Sequence, residues 1–264
     1  MHHFLKEPAF ILVLVFMANA IKADAAVPRR EVSDEQIVAQ GQLVAAGTYV
    51  EIYQHGTTVD PSFLKVMEDA YQQVQKVTGL NLDIATLGPK VRVYVSDAIA
   101  ISHVWKGYQH PSDPKGIIFL NPRVYLGAMN AKNSTYIHEL THLFTWRFSS
   151  HTLREGFADY VALTILPGTA VGPNPAGESP GQIPAEVRQP LGTTRPAPDW
   201  ASTDPVRRSA YYFASYQFVR FLVGAKGIDT FLKLYASEKP EADVKSLYGM
   251  DREDAVKAAL AVRF

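Results

Sequence analysis

The densest apolar run lies at the start of the chain, where residues 9–20 read AFILVLVFMANA. About a dozen residues match the core of an export signal and fall well short of the roughly 20 that span a bilayer. Ala23, Asp24 and Ala25 follow as a small-residue cleavage site, so residues 1–25 read as a signal peptide cut after Ala25, with Ala20 as the second choice. No later segment is long and apolar enough to enter a membrane. Beyond the signal the pattern becomes periodic. Ser33 and Gln36 have the spacing of a capping box, which predicts a short helix ending near Gly47. Residues 48–54 alternate like a strand, and Asp60-Pro61 opens a longer helix closed by Gly79. In that helix Phe63, Val66, Met67, Ala70, Tyr71, Val74 and Val77 recur at helical spacing. Residues 91–95 (VRVYV) and 116–120 (GIIFL) predict two further strands.

From about Asn133 the period becomes helical, over 136–148, 153–166, 209–223, 231–236 and 251–262. Between them, residues 167–205 lose periodicity and hold nine of the 17 prolines, which predicts either a disordered connection or a functional lid or plug. Strands followed by helices predict an α+β fold: a small mixed sheet with a packed helix, then a helical subdomain. Residues 26–264 then make one domain, with a sheet-rich half at 48–130 and a helical half at 131–264.

Composition narrows the chemistry. The 26 basic and 26 acidic residues cancel, which supplies no basic field for a phosphate backbone and argues against nucleic acid as a partner. There is no cysteine, so disulfides, zinc ribbons and thiol nucleophiles are excluded and any metal must be held by His and carboxylates.

Residues 138–142 read His-Glu-Leu-Thr-His. On a helix His138 and His142 share a face one turn apart and can point at one ion, with Glu139 directed at the water on it. A catalytic zinc usually takes three protein ligands. A continued HExxHxxGxxH motif would need Gly and His where the chain has Thr145 and Phe148, so that class is excluded. His151 is close in sequence but has no spacing rule behind it. Glu155 is the favoured third ligand, entering on the first turn of the next helix, with Asp159 four residues on as the carboxylate that orients His138. Thr152 and Glu155 also fit a capping box, in which the glutamate would bond its own helix start instead.

HELTH followed by the helical EGFADY resembles the gluzincin metallopeptidases, the thermolysin-like clan, and its compact peptidase MA-like members in particular. The resemblance rests on about 23 residues. It implies His138, His142 and Glu155 as zinc ligands, Glu139 as general base, Asp159 behind the ligands, and a thermolysin-like core whose sheet edge faces the cleft. It also implies an oxyanion donor from the later helices, for which Tyr211, Tyr212 and Tyr216 are candidates and Tyr212 is chosen. The segment from Gly127 to Asn130 resembles an exopeptidase motif but lacks its glutamate, and is expected to be a loop. The strand at 116–120 is a candidate to pair with an extended substrate. The expected activity is therefore hydrolysis of a peptide or protein substrate by an exported (periplasmic or secreted) zinc peptidase with no stable membrane insertion. The alternatives are a binding or assembly protein that keeps the fold without turnover, and a zinc hydrolase acting on a non-peptide bond.

Overall fold

The computed structural model describes residues 32–105, 115–147, 150–172, 183–195, 202 and 204–261. The expected signal segment, residues 1–25, lies outside the described residues. No described helix is long and apolar enough to cross a membrane.

A five-stranded mixed sheet carries the first half, in the order β1-β2-β3-β5-β4. β2 (Val50–His55), β3 (Val91–Ser96) and β5 (Ile117–Leu120) are parallel, while β1 (Gln42–Ala46) and β4 (His103–Val104) run antiparallel at the two edges. Because side chains alternate across a strand, each central strand serves two faces. Val50, Ile52, Val91, Val93, Val95, Ile118 and Leu120 join the main core, whereas Tyr94, Ile117 and Phe119 form a second cluster with Ile37 of α1 (Asp34–Gln40).

The main core is closed by α2 (Phe63–Thr78), whose buried Phe63, Met67, Ala70, Tyr71 and Val74 make one stripe. Gly79 ends it in the left-handed conformation, as its position predicts. Its start differs slightly: Ser62 is the cap position, and Asp60 instead accepts the Ser62 N–H at 2.8 Å in the preceding turn. The short α3 (Ile84–Leu87) leads into β3, and α4 (Pro122–Met129) follows β5.

The helical half comprises α5 (Thr135–Phe144), α6 (His151–Ile165), α7 (Ala185–Arg188), α8 (Pro205–Tyr235), α9 (Pro240–Tyr248) and α10 (Arg252–Ala261). The separate segments expected at 209–223 and 231–236 belong to one long run in α8, broken at Gly227, where φ is 78°.

Three expectations are corrected. The first helix stops at Gln40 rather than near Gly47, and residues 42–46 are a strand. A side chain at Gly41 would lie 2.6 Å from the Tyr94 ring, so α1 ends where the backbone meets the sheet. The segment from Gly127 to Asn130 is no loop: α4 runs to Met129, with Asn121 accepting the Val124 N–H at 3.0 Å and Pro122 in the first turn. Finally, β5 is flanked by β3 on one side and β4 on the other, so it has no edge to offer a substrate. Among the described residues the edge strand on that side is β4.

Candidate metal centre

All ten residues of α5 are buried, so this helix crosses the core between the sheet and α6 and has no solvent face. Its start is held by Asn133, whose side chain accepts the Thr135 N–H at 2.8 Å. Within it His138, Glu139 and His142 are 4–6% exposed, and the two imidazoles stand 4.5 Å apart and nearly perpendicular. Polar groups at that depth need partners, because burial without compensation is costly.

The partners come from α6. Its cap is Ser150, whose hydroxyl accepts from Leu153 N–H at 3.5 Å, and the competing Thr152–Glu155 capping box does not form. Thr152 is used elsewhere: it donates to Pro190 O at 3.2 Å and accepts the Gly192 N–H at 3.0 Å. Glu155 is thereby released from capping and turns inward. One of its oxygens, Oε2, faces His138 Nε2 at 3.3 Å and His142 Nε2 at 3.5 Å. Asp159, one turn along, accepts from His138 Nδ1 at 2.7 Å. Asp159 is fully buried, and this bond fixes the ring with Nε2 turned to the cluster.

His138, His142 and Glu155 thus bring three ligand atoms within 4.8 Å of one another and can hold a metal ion. The separations of 3.3 and 3.5 Å are long for hydrogen bonds and suited to sharing a cation. His151 is not part of the group. It begins α6 with its ring 3.0 Å from the Arg154 guanidinium, and burial together with that charge pushes its pKa down to about 4.

Electrostatics prepares the same three atoms. Burial opposes ionisation of Glu155, but the two histidines and Arg154 outweigh it and hold the carboxyl well below its usual range. Arg154, which the sequence did not single out, reaches Glu155 Oε1 at 3.4 Å and leaves Oε2 to the histidines. Burial, with His138 beside it, lowers His142 to about 4, so that ring is neutral. For His138 burial also disfavours charge, but Asp159 and Glu155 reverse the balance and raise its pKa well above the ordinary value. Glu139 is pushed up to about 7, chiefly by burial.

Beside the cluster lies a cavity of about 250 Å³. His138 and Glu139 form one wall, Tyr212 and Arg208 of α8 another, and Ala100, Ile101 and Ser102 lead into the edge strand β4. Of the three candidate tyrosines, Tyr212 is the one lining this cavity, with its ring 6.3 Å from that of His138. Burial first, then the Glu155 charge, holds its phenol far above the usual pKa, so it is a hydrogen-bond donor. Tyr211 is buried in the core, and Tyr216 lies toward Arg220.

The described parts of the proline-rich segment are anchored near both ligand helices. Gly172 N–H donates to Thr135 at 2.8 Å, Ser150 donates to Thr193 O at 2.8 Å, and Val187 and Leu191 are buried. The rest of the expected lid, residues 173–182, 196–201 and 203, lies outside the described residues. A scan against protein-family models finds no match for this chain, and a search of curated proteins finds none either.

Proposed function

We propose that this chain is an exported zinc-dependent metallopeptidase of the gluzincin type. The observation that carries the proposal is the convergence of His138 Nε2 and His142 Nε2 on one oxygen of Glu155, with Asp159 behind His138. His138, His142 and Glu155 would hold the ion, and the 3.3 and 3.5 Å between each imidazole and that oxygen are compatible with a shared zinc. Two imidazoles and one carboxylate also suit zinc, and three protein ligands would leave a position for water. The order of a small sheet, the HExxH helix, the glutamate helix and a helical half supports a thermolysin-like core. Export rests on the apolar run and cleavage site in residues 1–25.

When bound, zinc polarises the scissile carbonyl and brings the pKa of its water toward 7. Glu139, next to His138 on the same helix, would accept the water's proton and pass it to the leaving amine. Tyr212 donates its O–H to the carbonyl oxygen as negative charge develops there. Asp159 and Arg154 hold His138 and Glu155 in their ligand orientations. An extended peptide has the outer edge of β4 to pair with, in place of the interior β5.

The test is metal analysis of the mature protein with Glu139→Gln and Glu155→Ala variants, each assayed on an unbiased peptide library. Wild type and Glu139→Gln are expected to carry one zinc per chain, with cleavage lower by roughly 10²–10⁴-fold in the variant. Glu155→Ala is expected to lose the metal. Wild-type protein without zinc sinks the proposal, and zinc with no cleavage points to the binding or assembly alternative.

A further inference from the structure

The cavity next to Glu139 has a second charged wall that the chemistry above leaves unused. Arg208 stands one helical turn before Tyr212 and lines the same space. Its Nε is buried without a hydrogen-bond partner, and the guanidinium forms no ion pair among the described residues. The carboxylate nearest in sequence is otherwise engaged: Asp204 caps α8 by accepting from Val206 and Arg207 N–H at 2.9 and 3.4 Å. A partly buried cation left unpaired is costly, and a guanidinium presents a planar fork of donors that matches a carboxylate.

We propose that Arg208 is a specificity residue that binds a substrate carboxylate in the cavity beside Glu139. This rests on the peptidase reading and says which peptides the site prefers. A cavity of about 250 Å³ is small for a ligand pocket, so the carboxylate must lie close to the scissile bond. Two sources fit: the free C-terminus of a substrate cut near its end, or an Asp or Glu side chain flanking the cut. Ile101, exposed at the same cavity, adds an apolar surface beside the anion.

The test compares matched peptides on the full-length mature protein: free acid against C-terminal amide, and Glu or Asp against Gln or Asn at each flanking position. Wild type is expected to favour one carboxylate form by about 10- to 100-fold, expressed mainly in KM. Whichever pair shows the preference identifies the source. Arg208→Met is expected to abolish the difference, and Arg208→Lys to keep part of it. Circular dichroism of both variants checks that they fold; if Arg208→Met does not, Arg208→Lys decides by whether the preference shrinks. Calorimetric binding of the same pairs to Glu139→Gln protein supplies a readout independent of turnover. Cleavage without any carboxylate preference overturns the role of Arg208 and leaves the peptidase reading standing. Arg208-dependent binding of the acid form without cleavage does the reverse. Binding of neither form, with no cleavage, removes both.

Discussion

His138 is divided between two carboxylates, and the division decides what the ring can do. Asp159 takes Nδ1 at 2.7 Å, which leaves Nε2 for the cluster shared with Glu155 and His142. Asp159→Asn keeps an acceptor but removes the charge that makes the imidazole a stronger donor of electrons to a metal. Metal affinity is expected to fall about 10- to 100-fold, read by competition against a chromophoric chelator. An unchanged affinity would show that Asp159 serves packing alone. These residues were legible in the sequence because helix periodicity fixes their geometry: His138 and His142, like Glu155 and Asp159, are four residues apart on one helix face. Arg208 and Arg154 were not, since their reach into the site depends on how α8 and α6 are placed, which no local spacing encodes.

Among elements, the contact between α6 and α8 sets the position of Glu155. Gly156, directly after it, lets the helices approach so closely that a Cβ there would lie 2.2 Å from the carbonyl oxygen of Ser215. Gly156→Ala must push α6 away and is expected to cost about 1–3 kcal/mol in denaturant unfolding and to weaken metal binding as well. Wild-type stability would mean that the helices have slack. The edge strand is pinned differently. His103 Nε2 faces both oxygens of Asp34 at 3.2 Å while Nδ1 faces Ile101 O at 2.8 Å, so both ring nitrogens meet acceptors. Burial disfavours the cation, but Asp34 and the Ile101 carbonyl prevail and raise the pKa of His103. The pairing adds stability that is fully present below the unfolded pKa of about 6.5 and disappears as pH rises through the folded value. Wild type should lose on the order of 1 kcal/mol relative to Asp34→Asn between pH 6 and 9, and parallel stability curves would refute this. Strand β4 itself escaped the sequence because two residues carry no period, and β1 because neither of its faces is buried. Helix α2 was legible because it buries one face at helical spacing, and β5 because it is a short apolar run buried on both faces.

For the molecule as a whole, folding places Glu139, His138, His142, Glu155 and Asp159 in the interior, at the junction of sheet and helices. Without cysteine there is no disulfide to offset that cost. A metal binding only the folded chain stabilises it by mass action, about 4 kcal/mol when free metal is a thousandfold above Kd. For a chain of this size that is roughly 8–16 °C in Tm. Chelation should therefore lower Tm by about this amount, and readdition of zinc should restore it. The gap also has a sign with pH. In the metal-free protein His138 holds a proton more tightly than usual, which stabilises the fold below the unfolded pKa and ceases to as pH rises through the folded one. A metal needs that ring neutral and must displace the proton, so its affinity rises with pH. The two effects belong to one linked equilibrium, and the Tm difference between zinc-loaded and chelated protein should widen from pH 6 to pH 8. A difference that stays constant over that range would mean that His138 Nε2 is not where the metal binds.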